Sequence, residues 1–292
     1  MALALTAAAI NGLAMGAIYA LIVLGMNLLI LVRGVFYHGY SHIIMMSMGI
    51  CFVMLTLTNG NLVVAIIIMV VFAIALTVAT EPLFRPLAKR DAGLETVVLG
   101  MGVGIILTEV MAQYINRGAS FSFPAAMTGG GKLFGSGLIS FSLANVMAII
   151  AMVIVVIVLM AFLYKTRLGR GLRAVAQNLR VAMSLGISFN KSGILGFAVA
   201  GILAGLTALL LAMSLGYAAP TLGDSFAVKA LILVLFAGMG NLKGGIIAAT
   251  MMGVVEAVVK IMIPGRWAEA IFFGVIMVVI LIRPQGLFGS KV

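Results

Sequence analysis

"AAAINGLAMGAIYALIVLGMNLLILV" fills residues 7–32 without one Asp, Glu, Lys or Arg. A helix of that length rises far enough to cross the roughly 30 Å hydrocarbon core of a bilayer with room to tilt. The first basic residue, Arg33, follows the run. A secretory signal opens with positive charge, so residues 7–32 read as a retained membrane helix. Apolar runs then recur at 41–58, 61–80, 93–115, 142–163, 192–214, 225–239, 244–263 and 267–282, the first extending back to residue 6. The run at 225–239 is short enough to be a half-helix.

Composition agrees. Of 292 residues, 64% are hydrophobic and 9% charged, too little polar surface for a soluble domain. A membrane β-barrel would need short alternating strands, which these long runs exclude. The expected fold is all-α, a polytopic membrane bundle of about eight or nine spanning helices with one short cytoplasmic helix. Residues 1–292 form a single transmembrane domain on this reading. Cys51 is the only cysteine, so no intrachain disulfide is possible.

The net charge of +11 would suggest nucleic acid in a soluble protein. In a membrane chain, basic residues mark the cytoplasmic side instead. Thirteen Lys and Arg fall on one side if Arg33, the 81–91 segment, the 165–191 loop, Lys243 and the C-terminal Arg283 and Lys291 are cytoplasmic. Only Arg117, Lys132 and Arg266 fall opposite, with Lys229 and Lys260 inside spans. The N-terminus is therefore expected outside, the C-terminus inside and the 116–140 loop external. Small residues four apart at Gly12/Gly16, Gly100/Gly104, Gly201/Gly205 and Gly240/Gly244 predict closely packed helices, within the chain or between subunits.

The basic loop breaks the pattern. "YKTRLGRGLRAVAQNLRVAMSLGISFNKSG", residues 164–193, has six Lys or Arg and no acid. A helix from Gly171 places Leu172, Val175, Ala176, Leu179, Ala182, Met183 and Leu185 near one face, with Arg173, Gln177, Asn178 and Arg180 on others. Gly169 and Gly171 allow a turn before it, and Gly186 a stop after it. Such a helix could simply lie on anionic lipid.

The pattern of Thr166, Gly169, Arg173, Ala174, Gln177, Asn178, Ala182, Gly186 and Ile187 resembles the coupling loop of permeases from branched-chain amino acid-type ABC importers. Residues 16–30 (GAIYALIVLGMNLLI) resemble the family's first helix. Residues 235–258 (LFAGMGNLKGGIIAATMMGVVEAV) resemble its late glycine-rich segment, and residues 283–289 (RPQGLFG) its C-terminal signature. In the second helix the family's His and a Gly seven later are met at His42 and Gly49, without its Asn and Tyr. The resemblance implies the permease subunit of an ATP-driven importer. It implies two partner ATPase subunits, a second homologous permease or a copy of this chain, a periplasmic solute-binding protein and a bacterial inner membrane. Coupling would run through Thr166, Gly169, Arg170, Arg173, Ala174, Gln177, Asn178, Ala182 and Gly186. The implied cargo is a branched-chain amino acid or a related small carboxylate or amide.

The chain contains no P-loop GxxxxGK[ST], so ATP and Mg are expected on the partner ATPases and no cofactor on this chain. Ionisable groups inside spans tend to face a bundle interior or a path. Here they are His42, Glu109, Lys229, Glu256 and Lys260. Glu256 and Lys260 can pair at i, i+4 as a structural ion pair near the outer surface, or Glu256 can face the path. Glu109 and Gln113 share a face. His42 either lines the path or makes a packing hydrogen bond. Met45, Met46 and Met48 either pack or form a flexible gate beside Ser47. His38 and His42 lack a third ligand nearby, so no metal site is expected. The alternative function is a stand-alone secondary transporter or channel, which broken helices would suit. An intramembrane enzyme would need a nucleophile–base or metal set that the sequence does not offer.

Overall fold

The computed structural model describes residues 2–90, 93–128, 132–134, 141–263, 265–283 and 285–289. Lys291 and residues 129–131 and 135–140 of the expected external loop lie outside the described residues. The helices are α1 (Ala2–Arg33), α2 (Tyr40–Leu57), α3 (Leu62–Lys89), α4 (Gly93–Tyr114), the one-turn α5 (Ala125–Thr128), α6 (Leu143–Lys165), α7 (Arg167–Gln177), α8 (Leu179–Ser184), α9 (Phe189–Leu215), α10 (Leu222–Ala237), α11 (Leu242–Met262) and α12 (Gly265–Ile282). Four short strands form two antiparallel pairs: β1 (Phe121–Ser122) with β4 (Tyr217–Ala218), and β2 (Lys132–Phe134) with β3 (Phe141–Ser142). All nine apolar runs are helical. Seven are long and apolar enough to cross a bilayer, while the 16-residue α10 and the Glu269–Ile282 part of α12 are shorter.

Glycines set the seams. A Cβ on Gly12 would lie 2.7 Å from Val254 Cα, and one on Gly16 2.8 Å from the Thr250 carbonyl oxygen. These contacts press α1 antiparallel onto α11 through backbone rather than side chains. Gly201 and Gly205 sit against Ile74 and Val70, joining α9 antiparallel to α3. Gly100 and Gly104 of α4 meet His38, Gly39 and His42. Three of the four small-residue pairs therefore close seams inside this chain. Of the fourth, Gly244 packs on Phe288, whereas Gly240 serves a turn at φ +74°.

Two helices start inside the bundle. After α1 ends at Arg33, Gly34 at φ +66° turns the chain back, and residues 35–39 run in among the helices. Tyr37 is fully buried against Phe84 and Phe197, and the Phe36 amide donates to Thr96 Oγ1. α2 then runs parallel to α4, with Gly39 beside Gly100, His42 beside Gly104 and Gly49 beside Met111. Gly104 is midway along the 22-residue α4, so His42 lies about half-way across the bundle. α10 also begins there, with Gly223 against the His42 ring. The C-terminal turn closes the other end of α10: the Leu287 amide donates to the Phe236 carbonyl at 2.7 Å, and Phe288 to Ala237 at 3.2 Å. The RPQGLFG segment thus satisfies carbonyls that the helix leaves open.

Two boundaries depart from expectation. The cytoplasmic segment expected at residues 81–91, between two apolar runs, is helix as far as Lys89, despite Pro82 and Pro86. Proline inside a helix costs about 3 kcal/mol, but here Phe84 is locked between Tyr37 and Phe197 and Glu81 is buried between two arginines. Tertiary contacts outweigh the local penalty. The helix expected from Gly171 to Gly186 is two helices. α7 starts at Arg167, with Thr166 Oγ1 accepting from the Gly169 amide at 3.0 Å, so Gly169 and Gly171 lie within it. Asn178, extended at φ −158°, breaks the chain and caps α8 by accepting from the Val181 amide at 3.1 Å. Asn here satisfies the second helix end at the cost of ending the first.

Candidate functional site

Three polar groupings lie among the spanning helices, and a fourth at one end of the bundle. The first joins α2 to α10. His42 Nε2 is 2.9 Å from Asp224 Oδ1; the imidazole is 3% exposed and the carboxylate 63% exposed. His38 packs one turn away, its ring centroid 6.1 Å from that of His42. Asp224 thus adds an acidic neighbour to the two histidines, yet no group of three His, Cys, Asp or Glu among the described residues is arranged to hold a metal. Met46 and Ser47, on the same helix, are buried; the Ser47 hydroxyl donates to the Ile43 carbonyl of its own helix at 2.7 Å. The structure does not bring them to Glu256.

The second grouping is centred on Glu256. Its Oε1 accepts from Lys229 Nζ and from Lys260 Nζ, each at 2.7 Å, and its Oε2 accepts from Tyr19 Oη at 2.8 Å. The expected Glu256–Lys260 pair exists, but it is one edge of a larger knot tying α1, α10 and α11. Glu269 of α12 adds a fourth charge, 3.6 Å from Lys229. Lys229 and Glu256 are nearly dehydrated, so each charge depends on the other for compensation. Glu109 and Gln113 do share a face, as an exposed 2.6 Å hydrogen bond.

The third grouping closes the opposite end of α1. Arg33 pairs with Glu81, which Arg85 also contacts, and the Arg33 guanidinium lies 3.7 Å from the centroid of the Phe189 ring. Both Arg33 and Glu81 are buried. Periodicity alone gave no sign of this pair, because Glu81 looked like the start of a loop.

The fourth is the basic segment itself. α7 folds back against the end of α6: Gly169 abuts Phe162 and Leu163, and Leu172 and Val175 are buried. Arg173 Nε donates to the Leu163 carbonyl at 2.9 Å, and its guanidinium sits 4.2 Å from the centroid of the Tyr164 ring. Arg173 therefore pins α7 to α6. Ala174 is half-buried and Ala182 buried, whereas Arg170, Gln177, Asn178 and Gly186 are exposed, with Gly186 at φ +82° ending α8. Met183 and Leu185, expected on the buried face, are 47% and 74% exposed, because the break at Asn178 rotates α8 relative to α7. Leu168 and Val181 are exposed as well, as are Arg167, Arg170 and Arg180. A cavity of about 480 Å³ opens on the Arg173 side of α7, lined by Leu31, Tyr164, Arg173, Gln177, Asn241 and Phe288.

A family model described as the permease component of the branched-chain amino acid transport system matches residues 8–281. The chain belongs to this family. BraD of Pseudomonas aeruginosa, a high-affinity branched-chain amino acid transport system permease protein, is 25% identical over 289 residues, covering 96% of this chain and 94% of that protein. LivH of Escherichia coli, named in the same words, is 24% identical over 291 residues with the same coverage. RbsC of Bacillus subtilis, a ribose import permease protein, is 31% identical over 126 residues, 43% of this chain and 38% of its own. As a member of this family, this chain is a multi-pass membrane permease component of an ABC importer.

Proposed function

We propose that this chain is the non-catalytic membrane half-channel of an ATP-driven importer for a branched-chain amino acid or a closely related small carboxylate or amide. It works with two ATPase subunits that carry ATP and Mg, a second homologous permease or a copy of itself, and an external solute-binding protein. The N-terminus is outside and the C-terminus inside, in a bacterial inner membrane. The observation that carries the reading is the α7–α8 segment. Its α7 is seated on α6, and the two short helices leave Leu168, Val181 and Leu185 exposed along with arginines, a composition suited to a protein partner rather than to water. Seating α7 on α6 through Gly169 and Arg173 allows movement of a bound ATPase to pass into the spanning helices. Thr166, Gly169, Arg170, Arg173, Ala174, Gln177, Asn178, Ala182 and Gly186 make up this joint and its surface.

The test is uptake in proteoliposomes. The chain assembled with its ATPases, partner permease and binding protein accumulates labelled leucine, isoleucine or valine only with ATP. Uptake by the isolated chain under an ion gradient without ATP would replace this reading with a secondary transporter.

A further inference from the structure

We infer that the free carboxylate oxygen of Asp224, positioned by His42, is a contact on the translocation path for the ammonium group of the carried solute. This rests on the transport reading above.

Depth is the first argument. His42 stands beside Gly104 at the middle of α4, and Asp224 is hydrogen-bonded to it. A carboxylate at that depth is costly against lipid. Asp224 nonetheless lies on the exposed stripe of α10, with Thr221, Ser225 and Val228. An exposed acid half-way across a membrane protein belongs to a surface that meets water.

Polarity is the second. α2 and α10 both start here, and the Thr221 cap of α10 makes no side-chain hydrogen bond. The buried Ser41 Oγ and His42 Nδ1 have no hydrogen-bond partner. Unpaired polar atoms in a bundle core are retained at a cost, which a working site would explain. Asp224 lies in the first turn of α10, where the helix dipole favours an anion.

Charge is the third. The buried cations Lys229 and Arg33 are committed to Glu256 and Glu81. Asp224 has one oxygen on His42 and no cation within salt-bridge distance among the described residues. An acceptor held at one oxygen and open at the other suits an ammonium donor.

The experiment uses the assembled importer in proteoliposomes, with Cys51→Ala as background. Cys51 is buried, and that change removes the only native thiol. Asp224→Cys is expected to react with a membrane-impermeant cationic methanethiosulfonate in the assembled importer. Asp224→Asn is expected to lower leucine uptake about ten- to a hundredfold, the loss of one charge-assisted hydrogen bond. ATPase stimulation by loaded binding protein should stay at the wild-type level, which a merely structural role would not allow. Asp224→Glu recovers part of the uptake. His42→Gln, which keeps an N–H near Nε2, retains more uptake than His42→Ala. Wild-type uptake by Asp224→Asn, or no labelling of Asp224→Cys, would overturn the inference and leave the importer reading standing. Lost ATPase stimulation in Asp224→Asn would overturn it in favour of a structural pair. Absence of uptake by the wild type would overturn the importer reading, and this inference with it.

Discussion

Lys229 of α10 and Glu256 of α11 meet at 2.7 Å with both side chains almost fully dehydrated, while Lys260 reaches the same carboxylate from a position 49% exposed. The two lysines are therefore unequal partners. Removing the carboxylate leaves the buried Lys229 with only the exposed Glu269 at 3.6 Å, whereas removing Lys260 leaves the buried pair intact. Glu256→Gln should lower stability by about 3–5 kcal/mol, and Lys260→Met by about 0–1 kcal/mol. Thermal unfolding of the detergent-solubilised protein checks the order. A larger loss for Lys260→Met would mean that the exposed edge, not the buried one, holds the knot together.

Arg33 and Glu81 make a second test of the same physics. Glu81→Leu strands the buried Arg33 guanidinium and should cost about 3–5 kcal/mol, whereas Arg33→Leu leaves Glu81 paired with Arg85 and should cost less. The double replacement Arg33→Leu, Glu81→Leu removes both charges together and should be much milder than the sum. A double-mutant cycle on unfolding midpoints reads the coupling. Additive losses would show that the two side chains act independently.

The glycine seams give a prediction of opposite signs. Gly253→Ala places a methyl against the Gly16 backbone, where the α1–α11 seam leaves no space, and should cost about 1–3 kcal/mol. Gly102→Ala, with nothing within 4 Å of the new atom, should stabilise α4 by roughly 0.5–1 kcal/mol through helix propensity. The same unfolding assay decides. Equal effects would show that the seam is looser than the contacts at Gly16 and Gly253 indicate.

What the sequence displayed and what it concealed divide by range. All nine apolar runs could be seen, because a membrane span is a local property of length and hydropathy. The stop at Gly186 was legible for a similar reason, since it needs a positive φ at one residue. The partner of His42 was not, because Asp224 lies 182 positions away and nothing local ties them. Lys229 was visible as a charge inside a span, but its closure onto Glu256 depends on how α10 and α11 pack. Glu81 was misread as loop because Pro82 and Pro86 are breakers by propensity, and only the packing of Phe84 and the two arginines overrules them. The split at Asn178 is a local signal that the amphipathic pattern hid. Asn is a strong cap, and it follows one helix that ends and precedes another that begins.

The joint between α6 and α7 yields the most specific test. Arg173 bonds the Leu163 carbonyl and stacks on Tyr164. Its planar fork does both at once, which an ammonium cannot. Arg173→Glu would set a carboxylate against the carbonyl end of α6, where the helix dipole already disfavours negative charge. The variant should still insert, because the residue lies beyond the end of α6, but α7 should come loose from its seat. Co-purification of the ATPase subunits and ATP-driven uptake should both fall severely, with Arg173→Lys intermediate. Arg180 makes no such bond through its side chain and is exposed, so Arg180→Glu should be mild. Leu185→Asp tests the surface separately from the joint: at 74% exposure it should leave unfolding unchanged yet reduce ATPase co-purification. Measuring unfolding, co-purification and uptake on the same four variants separates the two roles. Small, equal effects for Arg173→Glu and Arg180→Glu would show that the segment rests on lipid and transmits nothing.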